Sequence, residues 1–231
     1  MKKYELLVDD TITFFGVQLF RIKALISFSG IEKGEIGGYV ASENNLSQSG
    51  NAWVYGDARV SGNAEVSGNA EVYGNAWVSG NARVSGNAWV SGNARVYGNA
   101  RVYGNAWVSG NARVSGDAEV YGNAWVYGDA RVSGDARVSG NAWVYGNARV
   151  YGDARVYGDA DYIVFKNTWS SGRYFTYTKS NKKWRVGCFY GDGGKLIEKA
   201  YKDSKKSGDF YKAYVDFVER LEEIENIHKE Q

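Results

Sequence analysis

The chain has 231 residues, among them 30 Gly, no Pro, one Cys and one His, and its formal net charge is +2. A single cysteine, Cys188, excludes a disulfide framework and a Cys-rich zinc site, and a single histidine, His228, excludes a multi-histidine metal centre. The small charge argues against a protein that coats nucleic acid. No segment approaches the roughly 20 apolar residues of a membrane span. We therefore expect a cytosolic protein that holds no metal and no cofactor.

Residues 1–35 contain three apolar-rich runs, Tyr4–Val8, Thr11–Phe15 and Val17–Phe28, with turn residues between them. These runs predict short strands. Because the open edge of a repeating sheet has to be covered for the protein to stay soluble, we expect residues 1–35 to form an N-terminal β cap for the region that follows.

Residues 36–160 are dominated by a six-residue repeat, Asn/Asp-Ala-X-Val-Ser/Tyr-Gly, which we call a hexad. Val recurs at every sixth position from Val54 to Val156, and Val40 and Leu46 continue that spacing upstream, with two extra residues before Val54. Ala and Val alternate with larger residues as in a half-buried strand, and Ser/Tyr-Gly supplies a turn. Strands this short can pair only with copies above and below, which predicts a solenoid.

The hexads resemble the hexapeptide repeat of left-handed parallel β-helices, in which an aliphatic residue and a small residue two positions earlier point inward. This resemblance implies a triangular prism with three hexads per coil, and therefore about six coils. The sequence supports 18 residues per coil independently. Outward positions six residues apart carry a mixture of Trp, Arg and Glu, whereas positions 18 apart mostly carry the same residue type.

Residues 161–231 predict a different module. Phe175–Lys179 and Trp184–Phe189 flank a polar turn and indicate a β-hairpin, while Gly194–Tyr201 and Asp209–Ile227 read as helices. The second helix has an apolar stripe, which we interpret as core or as an oligomer contact. Its members are Phe210, Tyr214, Phe217, Val218, Leu221 and Ile224.

Three segments outside the regular hexads, residues 37–40, 45–50 and 184–191, also resemble uncharacterised hexapeptide-repeat proteins of phages and prophages. That likeness implies a phage-encoded protein in the cytoplasm of a bacterial host cell. It implies no established chemistry.

Catalysis is not expected. The best known hexapeptide-repeat proteins are acyltransferases with a catalytic His, and a second group resembles γ-class carbonic anhydrases, which bind zinc through three His. Residues 2–227 contain no His. Cys188 has no His partner in the sequence around it, so we expect a packed thiol and not a nucleophile.

The outward columns define three faces. Face one carries Trp53, Glu71, Trp89, Trp107, Trp125 and Trp143; face two carries Arg59, Trp77, Arg95, Arg113, Arg131 and Arg149; face three carries Glu65, Arg83, Arg101, Glu119, Arg137 and Arg155. Face three balances its own charges. A stripe of indoles and a column of unbalanced guanidinium groups both call for a partner.

A parallel homotrimer would supply that partner, with face one of one chain against face two of the next, and Trp stacked on Arg. The resemblance also implies trimers. The second coil exchanges the two residue types (Glu71 and Trp77), so that each coil keeps one Trp across the two faces, as a shared interface layer would require. The expected interface residues are Trp53, Trp77, Trp125, Trp143, Arg131 and Arg149. An alternative is that hexads were duplicated and shuffled, with the Trp column as an exposed ladder.

The corner between faces one and two carries Tyr except at Ser91 and Ser109, which leaves a recess at the two middle coils. Trp89 and Trp107 lie on one side of it and Arg95 and Arg113 on the other, an arrangement that suits a nucleobase plus a phosphate. We therefore predict ligand binding by these six residues, in a protein that acts as a sponge and sequesters a nucleotide-like host immune signal. The alternative for the recess is that either Ser or Tyr is tolerated at this turn, with no ligand site. The alternatives for the function are a scaffold that displays residues 161–231 and a degenerate acyltransferase.

Overall fold

The hexads form a left-handed parallel β-solenoid in a computed structural model that describes residues 2–229. Each hexad contributes one two-residue strand that ends in Val. The strands, β4 to β21 in chain order, are Trp53–Val54, Arg59–Val60, Glu65–Val66, Glu71–Val72, Trp77–Val78, Arg83–Val84, Trp89–Val90, Arg95–Val96, Arg101–Val102, Trp107–Val108, Arg113–Val114, Glu119–Val120, Trp125–Val126, Arg131–Val132, Arg137–Val138, Trp143–Val144, Arg149–Val150 and Arg155–Val156.

These strands assemble into three parallel sheets, one for each predicted face. The first sheet runs β4-β7-β10-β13-β16-β19, the second contains β5-β8-β11-β14-β17-β20, and the third runs β6-β9-β12-β15-β18-β21. Each residue pairs with the residue 18 positions away, as Trp89 does with Trp107. The predicted three hexads per coil are confirmed. A partial seventh coil lies below, where β3 (Ile36–Val40) pairs with β5 and Leu46 bridges to Val66.

The solenoid interior consists of the Ala and Val of every hexad, which are completely buried from Ala52 to Val156. The corners are tight turns, as at Tyr55–Ala58, where the amide of Ala58 donates to the carbonyl of Tyr55 at 3.1 Å. Gly56 has a φ of +56° and the following residue does not, which is the type II′ turn that favours Gly at its first central position.

The N-terminal cap is a hairpin of β1 (Tyr4–Phe14) and β2 (Val17–Ala24), and β2 pairs antiparallel with β3. The first described residues close the lower end of the prism. The Lys3 ammonium donates to the carbonyl of Ala52 at 2.9 Å, and the Tyr4 hydroxyl donates to the carbonyl of Leu46 at 2.7 Å. Gln48, one of the two extra residues before Val54, accepts from the amide of Lys3 at 2.8 Å.

The upper end of the solenoid is closed by aspartates in a short 3₁₀ turn, Asp159–Asp161. Asp159 Oδ1 accepts from the amide of Trp143 at 2.9 Å, and Asp161 Oδ2 accepts from the amide of Gly158 at 2.9 Å. These carboxylates replace acceptors that a further coil would provide.

The described residues from 162 to 229 form a second compact unit. Its antiparallel sheet has the order β22 (Tyr162–Lys166), β23 (Tyr174–Thr178), β24 (Lys183–Val186) and β25 (Phe189–Gly191), followed by α1 (Gly193–Asp203) and α2 (Lys205–Lys229). The predicted hairpin is β23–β24, and both predicted helices are present. The strands β22 and β25 were not predicted from the sequence. No helix within residues 2–229 is long and apolar enough to cross a membrane.

One prediction for this unit is wrong, and another holds in part. Val218 and Tyr214 of the predicted α2 stripe pack in or against the core, together with Tyr211 and Val215, which the stripe did not include, whereas Phe217 is 52% exposed. Cys188 is exposed and not a packed thiol, because Gly187, with a φ of +56°, turns the chain between β24 and β25 at that point.

Candidate functional site

Face one presents a continuous ladder of stacked indoles on its upper four coils. The ring centroids of Trp89 and Trp107, and of Trp107 and Trp125, are 4.8 Å apart with the planes within 6°, and Trp143 continues the stack at 5.5 Å. Identical residues in register on neighbouring strands stack in this way because the strand spacing sets their separation. Trp143 is 44% exposed and Trp125 is 37% exposed.

Face two places guanidinium groups at corresponding positions on the same coils, at Arg95, Arg113, Arg131 and Arg149 of β11, β14, β17 and β20. Arg95 lies over the Trp77 ring at 6.0 Å. Arg113 and Arg131 form no ion pair with any residue in the range 2–229. Their mutual repulsion is therefore not offset by an ion pair with a carboxylate of the described residues.

Face three does offset its charges. Glu119 lies between two arginines, 3.7 Å from Arg101 and 3.6 Å from Arg137. The predicted contrast between a balanced face three and an unbalanced face two is therefore present in the side-chain contacts.

The lowest coils of faces one and two are covered by the cap, which corrects the prediction for Trp53. This indole is completely buried, with Tyr4 at 6.2 Å and Phe28 at 5.5 Å between ring centroids. It is a core residue of the cap and offers no surface to a second chain, because the start of the chain folds back over it.

The other early Trp, Trp77, is also engaged within the subunit. Phe15 stacks on it at 5.3 Å, Phe14 meets it edge-on at 5.2 Å, and its Nε1 donates to Ser61 Oγ at 3.2 Å. The exchange of Glu71 and Trp77 in the second coil thus has an explanation inside one chain. Phe14 and Phe15 at the tip of the cap hairpin pack on Trp77 in the second coil of face two. This packing accounts for the exchange without an interface between subunits.

The remaining predicted interface residues lie on coils that the cap does not reach. They are Trp125, Trp143, Arg131 and Arg149, and the first three are exposed.

Glu71 occupies the position in the Trp column below Trp89, where burial raises the pKa of its carboxyl. Burial also raises the pKa of Tyr55 to about 12, with Glu71 and Glu35 adding to the shift.

The corner with Ser91 and Ser109 lies between two tyrosine stacks. Tyr55 and Tyr73 stack at 4.3 Å below it, and Tyr127 and Tyr145 stack at 5.6 Å above it. Both serines are half-buried. Tyr73 tilts toward Trp89, with 5.6 Å between the ring centroids, and so leans into the lower part of the gap.

The six predicted ligand residues, Trp89, Trp107, Arg95, Arg113, Ser91 and Ser109, lie on two adjacent coils around this one corner. The indoles of Trp89 and Trp107 stack on each other, so no base can insert between them without breaking the strand pairing. A bound ring would instead contact the indole edges on the groove side.

Asparagine ladders, which were not predicted from the sequence, run along the corners. In one column each side-chain amide donates to the oxygen of the next coil at 2.9–3.1 Å, and the members are Asn51, Asn69, Asn87, Asn105, Asn123 and Asn141. Asn recurring at period 18 was the available signal. These amides are used in stacking the coils and are not free ligand groups.

A family model described as YdcK beta solenoid repeat matches residues 76–92, 94–110, 106–122, 112–128, 130–146 and 148–160. All six matched segments lie in the region of the hexads, residues 36–160. The chain is a repeat β-helix protein. No curated protein matches it. Across residues 2–229, no three His, Cys, Asp or Glu side chains are grouped so that they could hold a metal ion.

Proposed function

We propose that this protein is a non-catalytic binding protein of the hexapeptide-repeat class, encoded by a phage, that assembles as a parallel homotrimer. The observation that carries the proposal is the presence of two columns at similar heights, the indoles of Trp89, Trp107, Trp125 and Trp143, of which Trp107 is half-buried, and the guanidinium groups of Arg95 to Arg149. A head-to-tail contact around a three-fold axis brings these surfaces together at equal heights.

The contact supplies what each surface lacks. The indole faces are used in the ladder, so the contact removes the exposed apolar edges of the rings from water. Arg113 and Arg131, which have no carboxylate partner within residues 2–229, gain aromatic neighbours and backbone acceptors from the adjoining subunit. The cap limits this contact to the upper four coils, because Trp53 is buried and Trp77 is covered.

The groove beside the contact is the proposed ligand site. Arg95 and Arg113 offer charge-assisted donors for a phosphate, and Ser91 and Ser109 leave space that Tyr fills at the coils above and below. A nucleotide-like anion would place its base against the indole edges of Trp89 and Trp107. In a phage protein such a site would serve to sequester a host immune signal without changing it.

The experiment uses the double substitution Ser91→Tyr and Ser109→Tyr. Protein purified from infected cells is denatured, and the released small molecules are identified by mass spectrometry. The wild type should release a nucleotide-like anion that is chemically unchanged, and adding that anion back should raise the melting temperature by mass action. The double variant should release none, because two phenol rings fill the recess.

The matched control is Ser67→Tyr with Ser85→Tyr, which adds the same two rings at the corner after face three. This control should retain the anion. Retention by both variants would place the ligand elsewhere, and release of an altered molecule would overturn the non-catalytic proposal.

A scaffold that displays the second unit is the competing function. The observation in its favour is the regularity of the solenoid, in which Val recurs from Val54 to Val156 without an insertion that could shape a pocket. A native mass spectrum that shows a trimer with no added mass would favour this function over ligand sequestration.

A further inference from the structure

The second unit contains a cavity of about 260 Å³ that the proposed function does not use. Trp184 of β24 and Val215 and Val218 of α2 form its apolar wall, and all three are at least 97% buried. Asp192, which caps α1, and Glu219 and Glu222 of α2 also line it. A cavity of this size admits a single amino-acid residue.

The charge in the cavity is predominantly negative, with three carboxylates against the ammonium of Lys182. Glu222 accepts a hydrogen bond from the Tyr177 hydroxyl and pairs with Lys182 Nζ at 3.4 Å. Burial and the neighbouring Glu222 raise the pKa of Tyr177, so this hydroxyl remains a donor. The ion pair with Lys182 shows that the Glu222 carboxylate already binds an ammonium group in the folded protein.

Glu219 is the carboxylate that remains available. Asp192 is engaged as the α1 cap, accepting from the amide of Lys195 at 2.9 Å, and it lies within 4 Å of two lysine ammonium groups. Glu219 has no hydrogen bond or ion pair with another residue of the described chain.

A second, independent feature is a hydrogen-bond donor without an acceptor. Trp184 is 2% exposed and lines the cavity, and its Nε1 forms no hydrogen bond with another residue of the range 2–229. This N–H group therefore has no protein acceptor and can donate to an oxygen atom placed in the cavity. The cavity therefore offers carboxylates for a cation and one N–H group for an acceptor oxygen.

We propose that this cavity binds an α-ammonium group together with its neighbouring carbonyl oxygen, as carried by a free apolar amino acid or by the amino-terminal residue of a peptide. The ammonium group lies at Glu219 and Glu222 and displaces Lys182. The carbonyl or carboxylate oxygen accepts from Trp184 Nε1, and the side chain lies on Val215 and Val218. Capture of an amino terminus by converging polar groups is an established mode of recognition.

The test is isothermal titration calorimetry of the full chain with three probes: free leucine, the tripeptide Leu-Gly-Gly, and N-acetyl-Leu-Gly-Gly. Binding of leucine, of the tripeptide or of both supports the proposal, and the stronger probe identifies the source of the amino group. The acetylated peptide, which lacks the charge, should not bind. Equal binding of the acetylated peptide, or no binding of any probe, would overturn the proposal.

Two substitutions locate the site. Glu219→Gln should weaken binding about tenfold, because a charge-assisted hydrogen bond is lost. Lys182→Ala should strengthen it by up to about fivefold, since the competing ion pair is partly exposed. The control Glu223→Gln removes the same charge from α2 at a residue that pairs with Arg220 at 2.7 Å, and it should leave binding unchanged. Equal losses in the two Glu variants would mean that the overall charge of α2, and not this cavity, controls binding.

Discussion

At the scale of single residues, the glycine that ends a hexad in the middle coils is required for two separate reasons. In the middle coils its φ is positive, as at Gly86 with +69°, and its neighbours on the adjoining coils are also glycines. A Cβ atom on Gly86 would lie only 2.9 Å from the backbone nitrogen of Gly104. The repeat therefore fixes Gly both by backbone conformation and by the close approach of successive coils.

These two reasons can be separated by comparing Gly86→Ala with Gly146→Ala. Gly146 has a similar φ of +62°, but a Cβ atom there would meet nothing within 4 Å. We expect Gly146→Ala to lower the free energy of unfolding by about 1–3 kcal/mol, the cost of a strained backbone. Gly86→Ala should cost more, because the adjoining coil also has to move. Urea unfolding measures both, and equal losses would show that coil contact adds nothing to the backbone strain.

At the scale of elements, the cap closes the solenoid with a buried ammonium group. Lys3 is 2% exposed, donates to the carbonyls of Ala52 and Gly50 at 2.9 and 3.4 Å, and lies 5.1 Å from the Phe28 ring centroid. No carboxylate of residues 2–229 forms an ion pair with it. Burial lowers the pKa of Lys3 to about 8. The unprotonated amine still has two N–H donors for these carbonyls.

This lowered pKa makes the stability of the cap depend on pH. Between pH 8 and 10 the unfolded chain, whose Lys3 has an ordinary pKa near 10.4, binds more protons than the folded chain, so stability rises with pH. From pH 7 to 9.5 this contribution is about 2 kcal/mol. The free energy of unfolding of the wild type should rise by that amount relative to Lys3→Met. Parallel pH profiles for the two proteins would contradict the buried position of this ammonium group.

Much of the solenoid could be predicted because its contacts are local and repeated. Once Val and Ala point inward every six residues, pairing 18 positions apart follows, and with it the three faces and their columns. The positions of Trp53 and Trp77 could not be predicted in this way. They depend on Tyr4, Phe14, Phe15 and Phe28, which precede the repeat and carry no periodic signal of where they will pack.

The same limit applies in the second unit. The helical spacing of α2 predicts an apolar face, and Val218 of that face is buried, but the core also takes in Tyr211 and Val215 and leaves Phe217 exposed. The cavity at Trp184 has no sequence signature, because its residues come from β23, β24, the start of α1 and the middle of α2. Only the folded arrangement brings Glu219 near an indole N–H group.

At the scale of the whole molecule, faces one and two differ from face three in how their charged and aromatic side chains are arranged. Face three holds its charges in ion pairs around Glu119. Face one carries four stacked indoles and face two a column of guanidinium groups, both above the coils that the cap covers. The cap therefore divides the solenoid into a lower part, which it covers, and an upper part, which is the surface of the proposed trimer contact.

This division predicts which substitutions affect assembly. Trp107→Glu with Trp125→Glu places two carboxylates in the ladder and should convert the proposed trimer to monomers in sedimentation velocity, because the indole edges that contact the Arg column are lost. The indoles are on the outer surface, so the monomer should remain folded by circular dichroism. The control Arg83→Glu with Arg155→Glu adds two carboxylates to face three and should leave the trimer intact. If both double variants sediment like the wild type, the indole column is an exposed ladder and the chain does not assemble through it.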